Sequence, residues 1–136
     1  MSARSKARKA ALDILFESDL RGRSSLQTLE QRVADAETPL RDYTLTLVEG
    51  VTAHRVEIDS RIQACLAGGW SLERMPRVDR TAVRIAVYEI DFLDVPDAVA
   101  VAEAVALVAD LSTDDSPDYV NGLLGKVIST KAGAAG

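Results

Sequence analysis

The sequence predicts an all-α fold, six to seven helices in two packed helical halves, and three observations carry that reading. Apolar residues recur at the i, i+3, i+4 spacing of a helix face in one segment after another. No stretch alternates apolar and polar residues in the manner of a half-buried strand. Ala, Val and Leu are abundant while aromatic residues are only 4% of the chain, a composition suited to close-packed helices. At 136 residues the chain is expected to form one domain over residues 1–131, with a basic arm at 1–9 and halves of roughly 1–54 and 55–131. A chain of this length buries about two thirds of its unfolded surface and needs no metal or disulfide staple.

The first helix is expected to reach about Leu20. Leu12, Leu15 and Phe16 form its apolar face and Arg21-Gly22 supplies a stop. Ser24 with Gln27 has the capping-box spacing and opens a second helix striped by Leu26, Leu29 and Val33. Pro39 suits a first helical position. The apolar pattern then runs through Tyr43, Leu47, Val51, Ile58, Ile62 and Leu66, too long for one ordinary helix, so a break is expected near His54–Glu57. Gly68-Gly69 ends this stretch. Ser71 caps a short turn ending at Met75, and Pro76 opens a helix to about Leu93. Val95-Pro96 is a connector. Residues 98–111 are apolar on nearly all sides, which predicts a central, buried helix. Ser116 followed by Pro117 reads as an N-cap with proline at the first helical position, and Val120, Leu123, Leu124, Val127 and Ile128 give its stripe. The Gly/Ala tail from Ala132 to Gly136 is expected to be disordered.

Charge is unevenly placed. Arg4, Lys6, Arg8 and Lys9 precede the first acid, Asp13, in a chain of net charge -5 with 16 Lys+Arg against 21 Asp+Glu; the rest therefore carries -9. Such an arm attracts polyanions, or is a frayed, solvated terminus; the acidic body repels polyanions and attracts a basic partner. A second basic feature is Arg77, Arg80 and Arg84, followed by Tyr88, on one face of the helix after Pro76. It reads either as a solvated face or as a surface with a stacking aromatic for single-stranded RNA. Asp79, in the first turn of that helix, complements the helix dipole or meets a basic protein.

Candidates for catalysis are few. The one histidine, His54, has no cysteine or acid at metal-ligand spacing and reads as a lightly packed helix residue. Cys65 shares the Ile58–Ile62–Leu66 side of its helix and is expected in the core; a single cysteine permits no internal disulfide and fits a reducing cytosol. Asp114 and Asp115 lack the alternating acids and glycine of a calcium loop and stand where acids meet a helix N-terminus. There is no phosphate-cradling glycine loop and no G-x-S-x-G elbow. The expectation is a non-enzyme with no catalytic residue, no metal and no cofactor. No signal peptide is visible, and the longest apolar stretch, Ala98 to Ala109, is too short to span a bilayer and contains Glu103, so a cytoplasmic protein without a membrane partner is expected.

Taken together, these segments resemble the NusB family of bacterial transcription antitermination factors. The run from Pro76 to Glu89, PRVDRTAVRIAVYE, resembles the family's V-[DE]-[RK]-x-x-[LV]-R-I-A-x-Y-E segment. Asp94-Val95-Pro96 and Glu103-Ala104-Val105 are similar to its D-V-P and N-E-A segments. The run from Ser112 to Gly122, STDDSPDYVNG, resembles E-D-S-x-x-F-V-N-G, and Arg4 to Arg8 leading into Leu12, Leu15 and Phe16 resembles the arginine-rich start. The resemblance covers the chain to about Lys126. Three departures stand out: Ala102 replaces the usual Asn before Glu103, Asp118 stands where a basic residue is common, and Tyr119 replaces Phe and keeps a stacking face.

The resemblance implies an all-helical protein of two helical halves that binds boxA RNA of ribosomal RNA leader transcripts together with NusE, a small-subunit ribosomal protein. The pair joins RNA polymerase with other Nus factors and suppresses premature termination, without catalysis or cofactor. Carried over by position, Arg4, Lys6, Arg8, Arg80, Asp115 and Tyr119 are implied on the RNA side, and Phe16, Glu73 and Asp79 on the NusE side. Some members of the family pair with themselves through the partner surface, and Tyr88 and Trp70 are the aromatic candidates for such a homodimer. The rival expectation is a helical protein-interaction module without RNA selectivity of its own. NusB-like domains also precede the catalytic domain of some ribosomal RNA cytosine methyltransferases; here no such domain is expected after the last helix.

Overall fold

Seven α-helices and one 3₁₀ turn account for the regular structure, and no strand occurs among the described residues. The computed structural model describes residues 2–135, with side chains through Lys131. The helices are α1 (Ala3–Arg21), α2 (Ser25–Asp35), α3 (Asp42–Ala53), α4 (Arg55–Cys65), α5 (Arg77–Phe92), α6 (Asp97–Leu111) and α7 (Ser116–Ala135), with the 3₁₀ turn at Leu72–Arg74. The chain divides into two compact units, Met1–His54 and Arg55–Gly136. The tail on which disorder is expected, residues 132–136, lies outside the described side chains.

The first unit is a three-helix assembly in which α1, α2 and α3 pack pairwise. The basic segment is part of α1 from its first turn. Ser2 caps the helix by accepting the Ser5 N–H at 3.1 Å. Gly22 takes the left-handed conformation (φ 65°), and the N–H groups of Gly22 and Arg23 donate to the carbonyls of Asp19 and Ser18, which closes a Schellman motif. Ala7, Ala11, Leu12, Ile14 and Leu15 of α1 are buried, as are Leu29 of α2 and Leu47, Val48 and Val51 of α3. Ser24 caps α2 through the Gln27 N–H at 3.3 Å. The expected stripe on α2 is only partly a core face, because Leu26 and Val33 are exposed while Leu29 and Thr28 are buried. Pro39 does not begin a helix. Residues 36–41 form an irregular connection, and α3 starts at Asp42, where the Thr44 hydroxyl donates to the Ala7 carbonyl at 3.0 Å and ties this end to α1.

The expected break in the long apolar pattern falls at His54, which is half-buried and ends α3. In the second unit α5 packs against α4, α6 and α7, and α6 against α7. This corrects the sequence expectation. The buried central helix is α5, in which every residue from Asp79 to Ile90 is buried. On α6 only Ala100, Ala104, Leu107 and Val108 are buried, while Val99 and Leu111 are 43% and 40% exposed. Apolar atoms make up roughly half or more of a folded protein's surface, so an all-apolar helix is not compelled to the centre. A helix with three surrounding partners is.

Burial of α5 also corrects the reading of its basic stripe as a solvated or base-stacking face. Arg77 is exposed, but Arg80, Arg84 and Tyr88 are buried. Arg84 makes two bonds to Asp59 of α4, at 2.8 and 3.1 Å, and Arg55 adds a third to the same carboxylate. Burial pulls the Arg84 guanidinium below its usual range, and the Asp59 carboxylate opposes that shift. Tyr88 stacks on Phe92 at 5.6 Å, so it is not an exposed dimer contact. The unit is closed by Arg61 of α4, which donates to Asp91 of α5 and to Thr130 and the Val127 carbonyl of α7. Lys131 reaches the Ile90 carbonyl and Asp97. Cys65 is buried, as the periodicity of its helix implies.

Asp59→Ala is expected to destabilise the protein by about 2–3 kcal/mol, because it leaves the buried Arg84 guanidinium without its paired acceptor. Replacing both residues with apolar ones, Asp59→Leu with Arg84→Met, should recover much of that loss. Urea unfolding midpoints measure both effects, and an unchanged midpoint in Asp59→Ala would contradict this role for the pair.

Candidate nucleic-acid interface

Two sites emerge, one in each unit. In the first unit, Arg4, Lys6 and Lys9 are exposed on the opening turns of α1, and the first turn contains no acid. Cations at a helix N-terminus oppose the helix dipole, which carries about half a positive charge there. Local stability would favour Asp or Glu at these positions. The cations instead reinforce the dipole and the unbonded N–H groups, and together they make a strongly anion-attracting end. Lys9 is partly engaged by Asp13 at 3.1 Å. Arg8 differs from the rest of the arm. It is 3% exposed and its guanidinium lies 5.5 Å from the centroid of the Tyr43 ring, so it faces the interior of the unit. Arg4 lies over the same ring at 4.2 Å. Phe16, expected on the protein-partner side, is half-buried on α1.

In the second unit, a pocket of about 220 Å³ is lined by Trp70, Arg74, Met75, Asp79, Asp115 and Tyr119, among others. Its position follows from local chain rules. Gly69 is left-handed (φ 85°) in a turn closed by the Trp70 N–H on the Ala67 carbonyl, and Gln63 donates to the Trp70 carbonyl, which holds the indole at the rim. The Trp70 and Tyr119 rings lie 6.4 Å apart, tilted by 47°. Met75 ends the 3₁₀ turn, Asp79 sits in the first turn of α5, and Tyr119 in the first turn of α7.

Asp79 is the chemically distinctive residue in the pocket. It is 2% exposed, its Oδ2 accepts the Ser116 hydroxyl at 2.8 Å, and its Oδ1 has no hydrogen-bond partner within the protein. Ser116 has one proton and gives it to the carboxylate, which leaves it to accept from the Thr113 hydroxyl at 2.8 Å. Ser116 is thus a partner of Asp79 rather than a simple N-cap of α7. A carboxylate with one unused oxygen, in a pocket lined also by Asp115, Trp70 and Tyr119, favours a hydrogen-bond donor or a cation there. Burial and the charge of Asp79 hold the Tyr119 phenol above its ordinary value, so it is a neutral donor at physiological pH.

The pocket brings Asp79, Asp115 and Tyr119 together, although the family resemblance divides them between RNA and protein partners. Glu73 is exposed on the 3₁₀ turn but does not line the pocket. Arg80 is nine-tenths buried and donates to the Leu72 carbonyl at 3.2 Å, which ties the 3₁₀ turn to α5. Sequence reasoning missed Arg74 and Met75 as lining residues and weighed Trp70 only as a dimer contact. The exposed aromatic beside Gly68-Gly69 was the available signal. No group of three metal-binding side chains exists among the described residues, and none of their helices is long and apolar enough to cross a membrane.

Residues 5–129 match the model of the NusB family. The chain belongs to the NusB family. The transcription antitermination protein NusB of Nocardioides sp. strain JS614 is 53% identical over 136 residues, covering 99% of this chain and 100% of that protein. Among solved structures, NusB of T. maritima is 30% identical with a TM-score of 0.82, over 93% of this chain and 91% of that one. The crystal structure of the antitermination factors NusB and NusE in complex with double-stranded RNA is similar too. It has a TM-score of 0.82 and 29% identity, over 93% of this chain and 96% of that one. The all-helical NusB architecture expected from the motifs is therefore the observed one, over 93% of the chain.

The raised phenol pKa of Tyr119 has a sign that can be tested. The unfolded state loses this proton near pH 10.0, whereas the folded state retains it to higher pH. The associated stability is complete below pH 10 and is lost as pH rises through the folded pKa. Tyr119→Phe should remove one late step from the tyrosinate absorbance titration and flatten the alkaline fall in stability. Loss of a step at the ordinary tyrosine value, instead of a later one, would contradict the raised phenol pKa.

Proposed function

We propose that this protein is a transcription antitermination factor that binds boxA-type RNA of ribosomal RNA leader transcripts together with NusE, and so suppresses premature termination. The observation that carries the reading is the cluster of exposed cations on the N-terminal turns of α1, in an otherwise acidic chain of the NusB family. Its support from related proteins is the likeness to a NusB that was crystallised with NusE and RNA. Arg4 and Lys6 supply phosphate contacts, Tyr119 a stacking face, and Asp115 an acceptor for exocyclic amines. Phe16, Glu73 and Asp79 serve the basic protein partner, whose approach the acidic body steers. Arg8 and Arg80 act from inside their units, Arg8 against Tyr43 and Arg80 on the 3₁₀ turn, rather than as phosphate contacts. The assembly with RNA polymerase and other Nus factors, the cytoplasmic setting and the absence of catalysis belong to the same reading. A second reading, a protein-interaction module without RNA selectivity, is favoured by the acidic pocket alone.

Binding of a labelled boxA-like RNA, against a scrambled RNA and with or without purified NusE, separates the two. Selective binding that tightens with NusE supports antitermination; NusE binding without RNA selectivity leaves an adaptor. Three exposed arm cations imply a log–log salt slope of about -2, at roughly 0.7 per phosphate on a single strand. Arg4→Ala with Lys6→Ala should weaken RNA binding and reduce the slope while NusE binding persists. Tyr119→Ala should cost about 1–3 kcal/mol of RNA affinity through lost stacking. Unchanged RNA affinity in the arm variant would overturn the assignment of the arm.

A further inference from the structure

We propose that Tyr43 is a positioning residue for RNA binding: its ring holds the Arg4 guanidinium, ordered and edge-outward, as a preformed phosphate contact. The inference rests on the reading of the arm as an RNA-binding element, and deepens it. Arg4 and Arg8 stand one helical turn apart on α1, a spacing at which like charges repel. Both guanidinium groups nevertheless lie against one aromatic ring, at 4.2 and 5.5 Å from its centroid. The negative face of the ring attracts both and offsets their repulsion. Tyr43 itself is held in place, because the adjacent Thr44 hydroxyl donates to the Ala7 carbonyl and fixes the start of α3 on the α1 turn between the two arginines.

The two arginines have different exposure. Arg8 is buried and serves as the inner support. Arg4 is exposed. A guanidinium resting on an aromatic face spends its π-surface on the ring and keeps its N–H edge available, and that edge is the one that pairs bidentately with phosphate. A free arginine side chain loses rotamer freedom when it binds; one already held on a ring loses less, and the contact is correspondingly tighter. A stacked arginine cannot be replaced by lysine without loss, so the site distinguishes the two cations.

The test compares Tyr43→Phe and Tyr43→Leu, each in the parent and in an Arg4→Ala background, titrating boxA-like RNA in the presence of NusE. Tyr43→Phe retains the ring and should bind as the parent does. Tyr43→Leu should weaken RNA binding by about two- to five-fold, the range of one exposed cation–π contact. In the Arg4→Ala background the same substitution should add little, which a general loss of structure would not reproduce. An equal loss in both backgrounds overturns the proposal. So does normal affinity in Tyr43→Leu when Arg4→Ala is weakened, and that result leaves the arm reading intact. A silent Arg4→Ala removes the arm reading and this inference with it. NMR relaxation of the Arg4 Nε–H in the RNA-free parent protein needs no variant. An ordered guanidinium is expected, and a freely averaging one overturns the proposal.

Discussion

The second unit depends on the hydrogen-bond partners that meet the charged groups α5 carries into its interior. Three other helices surround α5 and bury it from Asp79 to Ile90, yet it brings Asp79, Arg80 and Arg84 inside. Each is met by a partner from a different element: Ser116 at the start of α7, the Leu72 carbonyl on the 3₁₀ turn, and Asp59 on α4. These bonds fix where α4, α7 and the 3₁₀ turn approach α5. An apolar core alone would hold the helices together with less specification of register.

The pocket is a by-product of that arrangement. Asp79 uses one carboxylate oxygen to receive Ser116 and keeps the other unpartnered. The same buried acid therefore anchors α7 and polarises the wall of a cavity edged by Trp70 and Tyr119. Retaining a desolvated, half-satisfied carboxylate is unfavourable in the isolated protein. Such a group marks a place where a ligand or partner can supply the missing donor.

The first unit shows the same conflict between local stability and function. Its arginines and lysines crowd the positive end of α1, where acids would stabilise the helix. Tyr43 relieves part of that repulsion from across the unit. An acidic chain with one concentrated basic end can attract a polyanion at that end and a basic protein elsewhere, without either contact neutralising the other.

The sequence by itself determined the family and most of the helix boundaries, Pro39 excepted. The Ser24 cap, the Gly22 stop, the break at His54, the Pro76 start and the stripe of α7 are local signals, set by backbone geometry and period, and the structure contains them. The ordered motifs carried the NusB resemblance because they are contiguous. Tertiary structure alone decided which helix is central, since burial depends on the number of neighbours: apolar α6 has an exposed side, and charged α5 is buried from Asp79 to Ile90. It also decided the environment of the charges. Asp59 is 25 residues from Arg84, and Tyr43 is 39 residues from Arg4. No spacing rule within one helix reveals such partners, and only packing turns an apparent basic face into buried ion pairs, or an unremarked tyrosine into a support for an arginine.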